Sequence, residues 1–222
     1  MFSGDYTEEN MDYFGYKNNV LFAEDVDVNL LAEKYGTPLY VYSKRTFIEH
    51  FRKIKNAFSG MDALVCYSVK ACSNLAILKA MKEEGSGFDI VSGGELFRAL
   101  KTGVDPKKIV YAGVGKTREE IRYAIKSGIL MFNVESAEEL KAINDTAKLM
   151  KRVADVALRI NPDVDAKTHA HITTGKKENK FGIDIVLAKS IFASAMKYRH
   201  VCLKGVDMHI GSQITTINPY LE

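Results

Sequence analysis

The sequence predicts an α/β fold in which parallel strands alternate with outer helices around a barrel, with about six of the strands supplied by this chain. Three observations carry that expectation. One strand–helix unit repeats along the chain. The helices between the strands are amphipathic and start on capping residues. Chemically capable side chains recur where the strands run out.

Taken in order, the chain opens on an acidic, polar stretch (MFSGDYTEEN) with aromatics scattered among charges, at Tyr6, Tyr13, Phe14, Tyr16 and Phe22. Residues 1–36 therefore read as a partly irregular amino-terminal segment, with a short helix at 29–35 stopped by Gly36. Residues 38–43 (PLYVYS) read as a strand, and 46–58 carries Phe47, Ile48, Phe51, Ile54 and Phe58 at close to helical spacing. From residue 63 the repeat takes over. Apolar, β-branched or aromatic runs at 63–67, 88–92, 109–113, 130–134, 153–160 and 205–210 read as strands. Amphipathic segments at 74–84, 93–101, 117–126, 136–150 and 184–198 read as the helices between them. The first five strands start about every 20 to 25 residues, which suits a strand plus its outer helix. Thr117 with Glu120 and Ser136 with Glu139 match capping boxes, and Ser73-Asn74 suits a helix start. Glu84-Gly85 and Ser127-Gly128 look like helix stops. Residues 37–222 are thus expected to form one partial barrel.

One gap breaks the rhythm. Residues 161–182 form a long polar loop with His169, His171 and Thr173-Thr174-Gly175, and a loop after a barrel strand lies over the active-site face. Six units do not close a barrel, and an open one would leave a long parallel edge and an uncovered interior. The chain is therefore expected to be a piece of a longer protein; an open six-stranded doubly wound sheet is the alternative.

Composition narrows the function classes. With 46% hydrophobic and 27% charged residues the chain is an ordinary globular one, and a net charge of +3 does not argue for nucleic acid or an anionic membrane. No apolar run approaches a membrane span, and the amino terminus is unlike a signal peptide. Cys66, Cys72 and Cys202 have no metal-like spacing, and a reducing cytoplasm suits them. The G-x-G-x-x-G pattern is absent after Gly93-Gly94. Gly113-Val114-Gly115-Lys116-Thr117 resembles the tail of a phosphate loop, but Val110 stands where the motif needs glycine, which excludes an ATPase.

The carboxyl ends of parallel strands share one mouth. Reading them off gives Lys70, then Asp89 with Ser92-Gly93-Gly94-Glu95, then Gly113 to Lys116, Asn133 with Glu135, Arg159 with Asn161, and His209 with Gly211-Ser212-Gln213. A lysine half-surrounded by apolar groups loses hydration and becomes a Schiff-base nucleophile, and the fixed charges around it suit carbonyl chemistry. Each residue also has a plainer use: a surface lysine, a turn cap for Asp89, an acid's partner for Arg159, a core histidine for His209. Their agreement at successive strand ends is what points to a site.

These residues resemble a known family. Tyr67-Ser68-Val69-Lys70-Ala71 with Asn74 is similar to the Y-A-x-K-A-N segment of the fold-type III pyridoxal-phosphate decarboxylases. Further blocks follow in order: Gly87 to Leu96 (GFDIVSGGEL), Asn133 to Ser136 (NVES), Leu158 to Pro162 (LRINP) and Val206 to Gln213 (VDMHIGSQ). The segment HAHITTGKKENKFG, His169 to Gly182, resembles the branch acting on diaminopimelate. Ser68 in place of alanine, and Cys72 inserted before Ser73-Asn74, are departures that do not touch the chemistry. The resemblance implies a (β/α)8 TIM barrel of the alanine racemase/decarboxylase type, present here only in part, with the family's carboxyl-terminal β-domain absent from the chain. It implies pyridoxal 5'-phosphate as cofactor, an amino-acid substrate, a homodimer in the full-length protein, and a cytoplasmic enzyme without nucleic-acid or membrane partners. By the same resemblance Lys70 forms the Schiff base, His209 stacks on the ring, Ser212 contacts the phosphate, Asp89 lies near Lys70, and Arg159 lies near the phenolic oxygen or pyridine face. Glu135 and Lys180 are weaker candidates.

The implied reaction is decarboxylation of meso-2,6-diaminopimelate to L-lysine and carbon dioxide, the last step of lysine biosynthesis. A sibling acting on ornithine, arginine or carboxynorspermidine, a cofactor-free Schiff-base aldolase, and a catalytically incomplete binding relative are the alternatives. The ITTG and KFG segments, the His209-to-Ser212 segment and Lys70 argue against each in turn. The 222-residue chain alone is expected to be poorly active or inactive, since the missing half carries the phosphate loop and the carboxylate for the pyridine nitrogen.

Overall fold

The computed structural model describes residues 12–162, 181–194, 197–212, 214 and 216–221. The chain divides into two compact units, Met1–Val65 with Lys79–Gly85, and Cys66–Leu78 with Ser86–Glu222.

In the first unit, β1 (Phe14–Lys17), β2 (Val20–Ala23) and β3 (Val26–Asp27) form an antiparallel meander. Within the segment expected to be partly irregular, these three strands were not predicted. A two-residue turn at Asn18 and Asn19 (φ 51° and 64°) pairs Lys17 with Val20; asparagine tolerates this left-handed conformation, so the hairpin signal was present in Asn18-Asn19. Asp27 accepts the N–H of Asn29 and starts α1 (Val28–Tyr35), which Gly36 ends at φ 80°. The predicted strand at 38–43 does not form. Pro38 lacks an N–H to donate, and Ser43 is drawn into capping α2 (Lys44–Ala57), accepting from the N–H of Thr46 at 3.0 Å. Glu24 fastens that cap, accepting from Ser43 Oγ and the Arg45 N–H, both at 2.8 Å.

The second unit contains the predicted repeat. Its strands are β4 (Cys66–Ser68), β5 (Gly87–Ile90), β6 (Ile109–Tyr111), β7 (Met131–Val134), β8 (Ala154–Arg159) and β9 (Val201–Asp207). All neighbours pair in parallel, in the order β4-β5-β6-β7-β8-β9. A doubly wound sheet reverses its strand order at a switch point, whereas strictly sequential order is that of a barrel. The structure therefore supplies a six-stranded part of one.

Between strands run α3 (Leu75–Glu83), α4 (Gly93–Lys101), α5 (Arg118–Ser127), α6 (Ala137–Leu149) and α7 (Ile185–Ala193). Asn74, Ser92, Thr117, Ser136 and Asp184 cap their first turns through side-chain oxygens. The Thr117–Glu120 capping box is complete, and Gly128 closes α5 in the left-handed conformation. At Ser136 only half the box forms, because the Glu139 carboxylate turns instead to Lys116. Phe88, Ile90, Ile109, Tyr111, Val134, Val156 and Leu158 on the strands, and Leu96, Ile121, Leu140 and Ile143 on the helices, are fully buried. Each such aliphatic or aromatic side chain contributes roughly 1.5–3 kcal/mol, so the sheet–helix layer holds the strand ends in place. Among the described residues no helix is long and apolar enough to cross a membrane.

Several boundaries differ from expectation. β4 starts three residues later than predicted, since Ala63 and Leu64 are exposed. The strands predicted at 88–92 and 109–113 stop early because Ser92 turns into its cap and Gly113 adopts φ 85°. β9 runs Val201–Asp207 instead of 205–210, with a register shift against β8 between Val156 and Ala157. The helix predicted at 184–198 ends at Ala193.

Candidate active site

The strands deliver their carboxyl ends to one side, where side chains line a cleft of about 660 Å³, within the roughly 300–1,000 Å³ typical of small-molecule sites. Lys70, Asp89, Arg159, His209 and Ser212 all line it. The structure thus brings these five together; Glu135, a weaker candidate, does not line the cleft but bonds to Arg159. His169, His171, Thr173-Thr174-Gly175, Lys180 and Gln213 lie outside the described residues.

Lys70 stands on a single 3-10 turn, Val69–Ala71, directly after β4. Val69 is fully buried and anchors the turn, while Lys70 is exposed to the cleft. The expectation of a lysine half-surrounded by apolar groups is not met, because the strand ends at Ser68 and the turn lifts the next side chain off the core.

Asp89 pairs in register with Ser68 on the neighbouring strand, and Ser68 Oγ donates to Asp89 Oδ2 at 2.9 Å. Burial raises the Asp89 pKa, opposed by that hydrogen bond and then by the positive charges of Lys70 and Arg159. Cys66, at the cleft floor, has its thiol pushed up to about 11, chiefly by burial and then by the Asp89 charge.

Arg159 ends β8 and is held on several sides. Its Nη1 donates to Glu135 Oε1 at 2.6 Å, its Nε lies 4.0 Å from Asp207 Oδ2, and the Phe181 ring centroid is 5.3 Å from its Cζ. Asp207, the last residue of β9, is itself raised in pKa by burial, with Arg159 opposing. The strand predicted at 205–210 obscured Asp207 as a strand-end acid. His209 consequently sits two residues beyond the strand. Desolvation in the cleft, then the charges of Arg159 and Lys70, lower its pKa, so the imidazole is held toward its neutral form. Ser212 is exposed at the rim.

A second buried charge supports the cleft from behind. Lys116 Nζ donates to Gly113 O at 2.6 Å, Asn133 O at 2.9 Å and Glu139 Oε1 at 2.6 Å, with its side chain 1% exposed. All three ammonium protons have acceptors, and both carbonyls among them belong to residues of the cleft wall, Gly113 and Asn133. Burial raises the Glu139 pKa and Lys116 opposes it. The resemblance of Gly113–Thr117 to a phosphate loop masked this role in the sequence.

The sequence matches the family model described as pyridoxal-dependent decarboxylase, pyridoxal binding domain, over residues 44–222. The chain belongs to this family. A diaminopimelate decarboxylase of Haemophilus influenzae is 49% identical over 212 residues, 96% of this chain and 51% of the relative. One of Pseudomonas aeruginosa is 50% identical with the same coverage. The solved diaminopimelate decarboxylase of M. jannaschii, in co-complex with L-lysine, superposes with a TM-score of 0.85 at 42% identity, over 94% of this chain and 50% of that one. The chain spans about half the length of the curated relatives it matches.

The residues of this pyridoxal-dependent decarboxylase domain fit the group its family binds. An aldehyde needs a primary amine, and Lys70 presents one in the cleft. A flat ring suits the neutral, planar face of His209. Polar ring substituents and a phosphate need charges and donors, and Asp89, Arg159 and Ser212 line the same cleft.

Proposed function

We propose that this chain is the cofactor-binding part of an enzyme that decarboxylates meso-2,6-diaminopimelate to L-lysine and carbon dioxide. The observation that carries the reading is the convergence of Lys70, Asp89, Arg159, His209 and Ser212 on one cleft at the strand carboxyl ends. The kinship with diaminopimelate decarboxylases over 96% of this chain supports the choice of substrate.

In this reading Lys70 would hold the cofactor, its Nζ being the primary amine that the aldehyde of pyridoxal phosphate needs. His209 would offer the ring an uncharged face, Ser212 Oγ would be a donor for the phosphate, and Arg159, restrained by Glu135 and Asp207, would supply a fixed positive charge to the cofactor's polar groups. Asp89, held by Ser68, keeps a carboxyl group beside Lys70. When bound, the cofactor delocalises the electron pair left on the α-carbon as the carboxylate departs. The net change is replacement of one carboxylate of meso-2,6-diaminopimelate by a proton, which gives L-lysine and carbon dioxide. The full-length enzyme is proposed to act as a cytoplasmic homodimer on this small amino acid.

The test is borohydride reduction of the protein incubated with pyridoxal phosphate, followed by peptide mapping. A pyridoxyl adduct on Lys70, lost in Lys70→Ala, is the expected result; an adduct elsewhere, or none even in a chain extended to the length of its relatives, overturns the site. Carbon dioxide release from meso-diaminopimelate, but not from ornithine or arginine, in a chain extended to the length of its relatives tests the substrate. The reverse preference moves the protein to a sibling activity.

A further inference from the structure

We infer that Glu135 is a positioning residue: one buried carboxylate that both aims Arg159 into the cleft and pins the Phe181-Gly182-Ile183 segment against it. The inference rests on the pyridoxal-phosphate reading of the cleft and adds a residue that does not line it.

Glu135 directly follows β7 and precedes the Ser136 cap of α6, so its backbone is fixed from both sides. The residue is 6% exposed. A buried carboxylate is costly unless each oxygen finds a donor, and both do. Oε1 accepts from Arg159 Nη1 at 2.6 Å, and Oε2 accepts from the backbone N–H of Gly182 at 3.0 Å. The second bond reaches across 47 positions of sequence to the far end of the long loop.

That segment is built to sit there. Ile183 N–H donates to Arg159 O at 2.7 Å, and Asn161 N–H donates to Ile183 O at 3.0 Å, so it lies alongside the exit of β8. Gly182 has φ 81°, a left-handed conformation that favours glycine, and a Cβ on it would lie 3.3 Å from both Arg159 O and Asn161 N, a tight contact with backbone. With Gly182 in place, the Phe181 ring packs against the guanidinium. One carboxylate thus fixes two faces of Arg159, by a direct charge-assisted bond and by the ring it brings over. An arginine restrained in this way presents its charge without reorganising, and that is the form in which a charge is most effective at a polar ring edge.

A mutant cycle in the full chain tests this, read as pyridoxal-phosphate affinity from the visible absorption of the lysine-bound cofactor. Glutamine carries one acceptor and one donor where two acceptors are needed, so Glu135→Gln must release Arg159 or Gly182. Glu135→Gln and Arg159→Met are each expected to weaken binding about tenfold or more. The double variant is expected to bind no more weakly than Arg159→Met alone, because Glu135 acts through that arginine. Losses that multiply in the double variant, or unchanged affinity in Glu135→Gln, overturn the inference. If Glu135→Gln does not fold, Glu135→Asp carries the same cycle, since it keeps the charge but is too short to span both partners. A wild-type chain that forms no adduct on Lys70 overturns the cofactor reading and this inference with it. An adduct together with multiplying losses overturns the inference alone.

Discussion

At the scale of single residues, the site is a set of groups whose ionisation the cleft has shifted. Cys66 lines the cleft with Lys70, yet burial and Asp89 push its thiol up to about 11. It is expected to react with iodoacetamide at pH 8 several-fold more slowly than an ordinary cysteine of pKa ~8.5; peptide mapping after timed alkylation would show the order, and fast labelling at Cys66 would contradict it. His209 is shifted the other way. Its folded pKa lies below the unfolded value of about 6.5, so between the two the unfolded chain holds more protons. Stability is thus expected to fall as pH drops through that window, and His209→Gln should flatten the slope measured by denaturant midpoints against pH. Asp89 and Asp207 have the opposite sign. Their pKa values are raised, so above the unfolded value of roughly 3.9 the folded state holds the extra proton and stability falls as pH rises through their window. Lys70, Asp89, Arg159 and His209 were legible in the sequence because strand ends in an α/β fold are few and their order is known. Asp207 was not, because apolar alternation in Gly205–Ile210 carried the predicted strand past it. Lys70's exposure was hidden as well, since no periodicity marks a single 3-10 turn.

At the scale of elements, capping and buried charge decide where strands hand over to helices. Thr117 and Glu120 satisfy each other's backbone donors at the start of α5. Thr117→Ala is expected to cost about 1 kcal/mol, seen as a lower denaturant midpoint with an unchanged m-value. Lys116 is a larger matter. Lys116→Met leaves the Glu139 carboxyl buried without its cation and frees the carbonyls of Gly113 and Asn133. Breaking one side of such a pair costs roughly 3–5 kcal/mol, and the same change should loosen the cleft wall, so cofactor affinity should fall along with the melting temperature. A variant as stable as wild type would show that the pair does not hold the two loops. The complete box at Thr117 was readable from spacing alone. The one at Ser136 was not, since Glu139 has a partner twenty-three positions away that no local pattern reveals. The amino-terminal meander escaped for a related reason: strands of four, four and two residues are too short for alternation to register, and only Asn18-Asn19 betrayed the turn.

At the scale of the whole molecule, the sheet was legible because each strand–helix unit is local and lays its strand beside the previous one. Closure is not local. Among the described residues β4 and β9 each pair with one neighbouring strand, and Val206 and Met208 on the β9 side are 50% and 59% exposed. In a closed barrel, parallel edges are paired and interior positions covered. Among the described residues the cleft is thus walled from β4 to β9 and exposed on its flank beyond His209, and a substrate held there would meet water where the chemistry needs its exclusion. The 222-residue chain, purified and saturated with pyridoxal phosphate, is accordingly expected to release carbon dioxide from meso-diaminopimelate at a small fraction of the rate of a chain extended to its relatives' length. The shorter chain should still give the borohydride-trapped adduct on Lys70, because the amine, His209 and Arg159 are already assembled. Equal turnover by the two chains would mean that the six-stranded part encloses the substrate by itself. Loss of the adduct in the shorter chain alone would mean that the open flank supplies cofactor affinity as well as shelter from water.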